Sequence, residues 1–280
     1  MSNVTRYFGA PALGPSPIIF GDLSKHVQNE YMGKCMVVWD TFASLGEQAS
    51  AAGGGRYTTY QNTGVTIAQG NTVADLGEAL GVLVVAGNDA DNDQGFIQFG
   101  GGKGDFRIDN GSGNTGKVMF EARVQSNSIA NNGVAFFVGL GTGPLADADL
   151  ADDTGDLVAT KGYIGFSRLA DDGAHVDIVY QGASQTKQIL VANALTMVAD
   201  TWYRLGFVYD PDVVDSKKVT FYIDGVEQST YVTTTLLDTA TFPEGESLSP
   251  MLLTKVGTAA EATVSLDYVA AVQYADGEDG

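Results

Sequence analysis

The chain is poor in the residues that redox chemistry, membrane insertion and phosphate binding draw on. It has one cysteine, Cys35, which excludes an intramolecular disulfide. Its two histidines, His26 and His175, are too few to activate a thiol or gather a histidine metal site, so Cys35 is expected to be buried and inert. No stretch approaches the roughly eighteen consecutive apolar residues of a membrane span, and none is expected. The opening residues 1–17 have no basic region followed by an apolar core, so they do not read as a secretory signal. Basic side chains are scarce as well: 15 Lys and Arg stand against 34 Asp and Glu, a net charge of −19. Nucleic acid would require a basic face and is therefore not an expected partner. The imbalance is uneven. Residues 1–34 hold three basic and two acidic side chains (+1), which leaves −20 for residues 35–280.

Helix-period apolar patterns are scarce too, and what is present reads as sheet. In Thr201–Asp210 (TWYRLGFVYD), Trp202, Arg204 and Val208 point one way and Tyr203, Leu205, Phe207 and Tyr209 the other. Val219, Phe221 and Ile223 then alternate with Thr220 and Tyr222, and Asp224-Gly225 supplies a tight hairpin turn. Lys117–Gln125 places Val118, Phe120, Ala122 and Val124 inward and Lys117, Met119, Glu121 and Arg123 outward. Val134–Leu140 (VAFFVGL) is almost wholly apolar, as a strand covered on both faces would be. Further strands are expected over Met36–Phe42, Tyr57–Tyr60, Val65–Ala68, Val82–Ala86, Phe96–Phe99, Tyr163–Ser167, His175–Gln181, Gln188–Val191 and Ala262–Tyr274. Many short strands with abundant glycine and no internal repeat indicate a two-sheet sandwich.

The order of these blocks carries a resemblance. "WYRL", a polar loop, "VTFYIDG" and a closing "LDYV", preceded by "KVMFEARVQ" and "VAFFVGLGTG", resemble the concanavalin A-like jelly rolls, in particular their laminin-G-like branch. The resemblance covers residues 110–275 well and 36–110 loosely. It implies an all-β, two-sheet antiparallel jelly-roll sandwich over residues 35–280. Residues 1–34 stand apart as an expected extended arm. Pro11, Pro15 and Pro17 with Gly9, Gly14 and Gly21 argue against regular helix there, while Tyr7, Phe8, Ile18, Ile19 and Phe20 are too apolar to be left in water. These five are the expected partner-binding residues, docking in the chain's own domain or on a neighbouring subunit.

Candidate chemistry is sparse. Laminarinase-like relatives of the fold carry E-x-D-x-x-E on one strand, which supplies the two carboxylates that glycoside hydrolysis needs. None of the nine glutamates here begins that pattern, so a non-enzymatic protein is expected. Asn88–Gln94 (NDADNDQ) and Asp147–Asp156 (DADLADDTGD) crowd hard oxygen ligands, and Asp89, Asp91, Asp93, Asp149 and Asp152 are the candidate calcium ligands, although no cofactor is required. Trp39 and Trp202 are expected in the core. The style of the sequence resembles tailed-bacteriophage virion proteins. That resemblance implies a capsid decoration (cement) protein, assembled in the host cytoplasm, binding the major capsid protein or other virion subunits as a homo-oligomer, such as a trimer. The alternative is a lectin-like module that binds a glycan, with calcium in the Asp-rich loops.

Overall fold

The structure is a computed structural model that describes residues 15–21, 23–42, 48–50, 57–61, 64–70, 81–87, 93–99, 106–108, 115–131, 133–143, 151, 156–157, 160–257 and 262–275. Two antiparallel sheets face one another as a sandwich. Sheet I runs β14 (Val226–Val232), β13 (Val219–Ile223), β12 (Tyr203–Tyr209), β7 (Thr115–Ser126), β16 (Ala262–Ala275), β5 (Val82–Gly87) and β4 (Thr66–Gly70). In this sheet β1 (Cys35–Asp40) pairs with the second half of β16, beyond the end of β5. Sheet II runs β11 (Gln188–Thr196), β10 (His175–Gln181), β9 (Tyr163–Arg168), β8 (Val134–Thr142), β15 (Leu248–Val256), β6 (Gln94–Phe99), β3 (Tyr57–Gln61) and β2 (Gln48–Ser50). Among the described strand pairs, β2–β3 is parallel and the others antiparallel.

The period-2 pattern decides which residues meet between the sheets. Val118, Phe120, Ala122 and Val124 of β7 interleave there with Leu205, Phe207 and Tyr209 of β12 and with Val219, Phe221 and Ile223 of β13. Phe120 and Phe207 stack with centroids 5.3 Å apart, and Phe207 meets Phe221 at 5.7 Å. From sheet II, Val138, Leu140, Ile164, Phe166, Ile178 and Leu252 close the same core. Asp224 and Gly225 take φ of 52° and 78° in the β13–β14 turn, the positive angles that such a hairpin requires. Arg168 is fully buried at the edge of the core, where its guanidinium donates to the carbonyls of Val134 and Ala130, and burial lowers its pKa to about 10.

Regular helix was not expected before residue 35, yet α1 (Pro17–Phe20) and α2 (Leu23–Tyr31) lie there. Pro17 opens α1, the position where a missing N–H costs nothing, and α2 contains neither Pro nor Gly. Ile19 and Phe20 pack on the outer face of sheet I against Met119, Ala270, Val272 and Tyr274. A third short helix, α3 (Thr234–Leu237), is capped by the Thr233 side chain, which accepts from Leu236 N.

Candidate functional site

Both outer sheet faces carry polar and aromatic side chains, but the described residues close one and leave the other open. On sheet II, Phe96, Phe137, Tyr163, Val179, Met251 and Leu253 point away from the core and are nevertheless buried, with Ala151 and Leu157 packed over them. Lys255 Nζ donates to the Ala151 carbonyl at 2.9 Å, fastening that cover. Among the described residues, Ala151 and Leu157 thus cover the middle of this face, while β11 at its edge stays half-buried or exposed.

Sheet I has an open groove of about 430 Å³ on its outer face, near the β14 edge, within the usual range of about 300–1,000 Å³ for small-molecule sites. Antiparallel register builds its floor. Val208 of β12 lies opposite Thr220 of β13, and Tyr222 of β13 lies opposite Glu227 of β14, so all four side chains share one face. The β12–β13 connection forms the wall with Asp210, Asp212, Val213, Val214 and Lys217. That wall is stapled from within. Lys218 Nζ donates to the carbonyls of Pro211 and Val213, both at 2.8 Å, and Asp212 N donates to Asp210 Oδ1 at 3.0 Å. Asp210 also meets Lys117 at 2.7 Å.

The electrostatics of the groove are mixed rather than of one sign. Lys217 Nζ lies 3.1 Å from Glu227 Oε1 and 4.3 Å from the centre of the Tyr231 ring, and Tyr231 donates its hydroxyl to the same Glu227 oxygen at 2.8 Å. The hydrogen bond from Tyr231, then that from Lys217, holds Glu227 below its ordinary pKa, so it stays an acceptor. Burial, then the charge of Glu227, raises Tyr222, whose phenol stays protonated and can both donate and accept. An aromatic face, fixed acceptors, an ammonium donor and two exposed valines thus surround one cleft. Such a set suits a ligand with an apolar ring face and several hydroxyls.

The residues singled out from sequence fall elsewhere. Asp89, Asp91, Asp149 and Asp152, with Tyr7 and Phe8, lie outside the described residues. Asp93 immediately precedes β6 and is buried, and its Oδ2 has no hydrogen-bond partner among the described residues. Among the described residues no three His, Cys, Asp or Glu side chains gather to hold a metal. Ile18 is 58% exposed on α1, while Ile19 and Phe20 are buried in the chain's own cluster. The tryptophans are not core residues: Trp39 packs at the margin of the α1 cluster, and Trp202 lies under Arg123, 4.9 Å from its guanidinium carbon. Cys35 is half-buried; burial, then Glu30, raises its thiol pKa, which suits an inert role. Nothing in the sequence flagged the groove, because its members come from one loop and three strands and follow no motif.

No family model matches the chain, and no curated protein matches it. Solved structures do match its fold. A Shewanella oneidensis protein of unknown function has a TM-score of 0.55 at 13% identity, over 88% of this chain and 90% of its own. Peanut lectin has 0.52 at 12%, over 86% and 97%. A prokaryotic β-1,3-1,4-glucanase (lichenase) derived from a mouse hindgut metagenome has 0.51 at 16%, over 86% and 99%. At these identities the likeness shows the fold, which is the jelly roll of lectins and glucanases. It corrects the expectation of a non-enzymatic protein, since an enzyme uses the same architecture. The virion and cement-protein expectation gains no support from these likenesses.

Proposed function

We propose that this protein binds carbohydrate, and that the sheet I groove holds the glycan. The observation that carries the reading is the floor of that groove: Tyr222 offers a ring face and a protonated hydroxyl beside Glu227, Lys217, Asp210 and Asp212. Sugar rings have apolar C–H faces rimmed by hydroxyls, and an aromatic ring with flanking acceptors and donors complements both features. The fold shared with a lectin and a glucanase supports the same ligand class. Neutral glycans fit better than polyanionic ones, because the groove has three carboxylates against one ammonium and the whole chain carries −19.

A glycan array followed by calorimetry on the full chain tests this reading. Tyr222→Ala is expected to abolish measurable binding. It also removes packing against the α1 cluster, so the melting midpoint should fall, while circular dichroism should show the β fold retained, since Tyr222 lies outside the inter-sheet core. Equal affinity in the parent and the variant would exclude the groove. Chain-length analysis of the bound glycan after incubation separates binding alone from hydrolysis.

A further inference from the structure

The inner end of the groove is closed by the chain itself. Glu121 of β7, Gly206 of β12, Tyr222 of β13 and Glu227 of β14 form one row across the outer face of sheet I. Gly206 puts no side chain in that row, and Ile19 of α1 fills the space. A Cβ at Gly206 would lie 2.6 Å from Ile19 Cδ1. Val208 and Tyr222, both groove residues, pack against the cluster that contains Ile19.

Next to this plug, Glu121 Oε1 accepts from Ser16 N at 2.7 Å and from Tyr268 OH at 2.7 Å. Glu121 is fully buried, and its Oε2 has no partner among the described residues. Burial raises its pKa against the lowering effects of Tyr268, the Ser16 amide and Arg204. The charged and titratable groups around it are Arg204 on β12, Asp224 in the β13–β14 turn, Tyr268 and Asp267 on β16, and Arg123 on β7, which pairs with Asp267 at 2.7 Å. Residues 16–21 of the covering segment bring no titratable side chain. A proton on Oε2 would make this buried carboxyl neutral. Once ionised, Glu121 would still accept from Ser16, but its second oxygen would be a buried charge without a donor, which is costly. Hydrating that oxygen requires the segment above it to lift.

We propose that residues 15–21 are a strap closing the inner end of the groove, latched through Ser16 to protonated Glu121. Loss of that proton releases the strap and opens a notch over Gly206, between Glu121 and Tyr222. Use of the notch as a further sugar subsite rests on the carbohydrate reading; the strap and its latch do not.

The test therefore follows the strap without a ligand. Trp39 packs against the cluster containing Ile19 and Phe20, and in a full-length Trp202→Phe background it is the single tryptophan. Acrylamide quenching of Trp39 is measured from about pH 5 to about pH 9, a window spanning ordinary and buried carboxyl groups. The expected result is a several-fold rise in quenching with increasing pH, at a midpoint above the ordinary carboxylate range. Glu121→Gln retains the oxygen that accepts from Ser16 and Tyr268 and should give a flat, shielded profile. Ser16→Pro removes the amide donor at a φ of −64°, which proline can adopt, and should give high quenching across the whole range. A flat parent profile, an unchanged rise in Glu121→Gln, or a shielded Ser16→Pro would each overturn the proposal.

Discussion

Two glycines on one face of β8 give a test of close packing in which the chemical change is the same and only the neighbour differs. Gly139 lies opposite Gly165 in the β8–β9 pair. A Cβ added at Gly139 would come 2.2 Å from the Ile164 carbonyl oxygen and 2.8 Å from Gly165 Cα, both main-chain atoms of a central strand. At Gly141, two residues along, the added Cβ would come 2.4 Å from Met251 Sδ, and the nearest main-chain atom would be 3.7 Å away. A thioether at the end of a flexible side chain can move, whereas a paired strand can yield only by breaking its register. Gly139→Ala should therefore cost about 2–3 kcal/mol, the range of overpacked cores, and Gly141→Ala less than about 1 kcal/mol. The gain of about 0.4–1 kcal/mol from restricting the unfolded chain applies to both and cancels in the comparison. For a domain of this size the difference corresponds to a melting-midpoint gap on the order of 2–5 °C. Thermal unfolding followed by circular dichroism, with urea titrations for the free energies, reads the gap. Equal midpoints, or the larger loss at Gly141, would refute the packing argument.

Other consequences follow from the polar contacts on sheet I. Asp267→Asn removes the charge that Arg123 meets at 2.7 Å in a largely buried site, and urea titration should show a loss of about 3 kcal/mol. Tyr274→Phe takes away the hydroxyl that His26 Nδ1 and Asn29 Nδ2 both contact, and should cost about 1–3 kcal/mol in the same assay. Glu121 has a raised folded-state pKa, so the stability it contributes is fully present below its unfolded value and is lost as pH rises through the folded one. The melting midpoint should therefore fall over that interval, and Glu121→Gln should flatten that part of the profile. Breaking the exposed Lys217–Glu227 pair with Lys217→Ala should leave the melting midpoint in place, because such pairs are well solvated.

Much of the sheet architecture was legible because strand periodicity and burial coincide. The inward sets of β7, β12 and β13 were readable residue by residue, as was the turn at Asp224-Gly225, because one face of each strand must be apolar. β15 escaped notice despite being buried along its length, since a run covered on both faces has no alternation and Pro250 within it argues against an interior strand. α2 was missed by weighting the nearby prolines and glycines over the stretch from Leu23 to Tyr31, which has neither and ends before Gly33 at a φ of 72°. Trp39 was misplaced because a strand residue with apolar neighbours can face either side, and Trp202 because it precedes β12 instead of lying in it. The groove was invisible for a different reason. It depends on the register that sets Tyr222 beside Glu227 and on how Lys218 folds the preceding loop, and neither leaves a local pattern.

The most direct test of the central claim is to map the protected amides by hydrogen exchange when a neutral oligosaccharide from the array hits is added in saturating amount. The carbohydrate reading predicts slowed exchange concentrated in residues 210–218 and in β13 and β14, around Tyr222 and Glu227. Protection on sheet II beneath Ala151 and Leu157, or no protection at any site with any glycan, would contradict it.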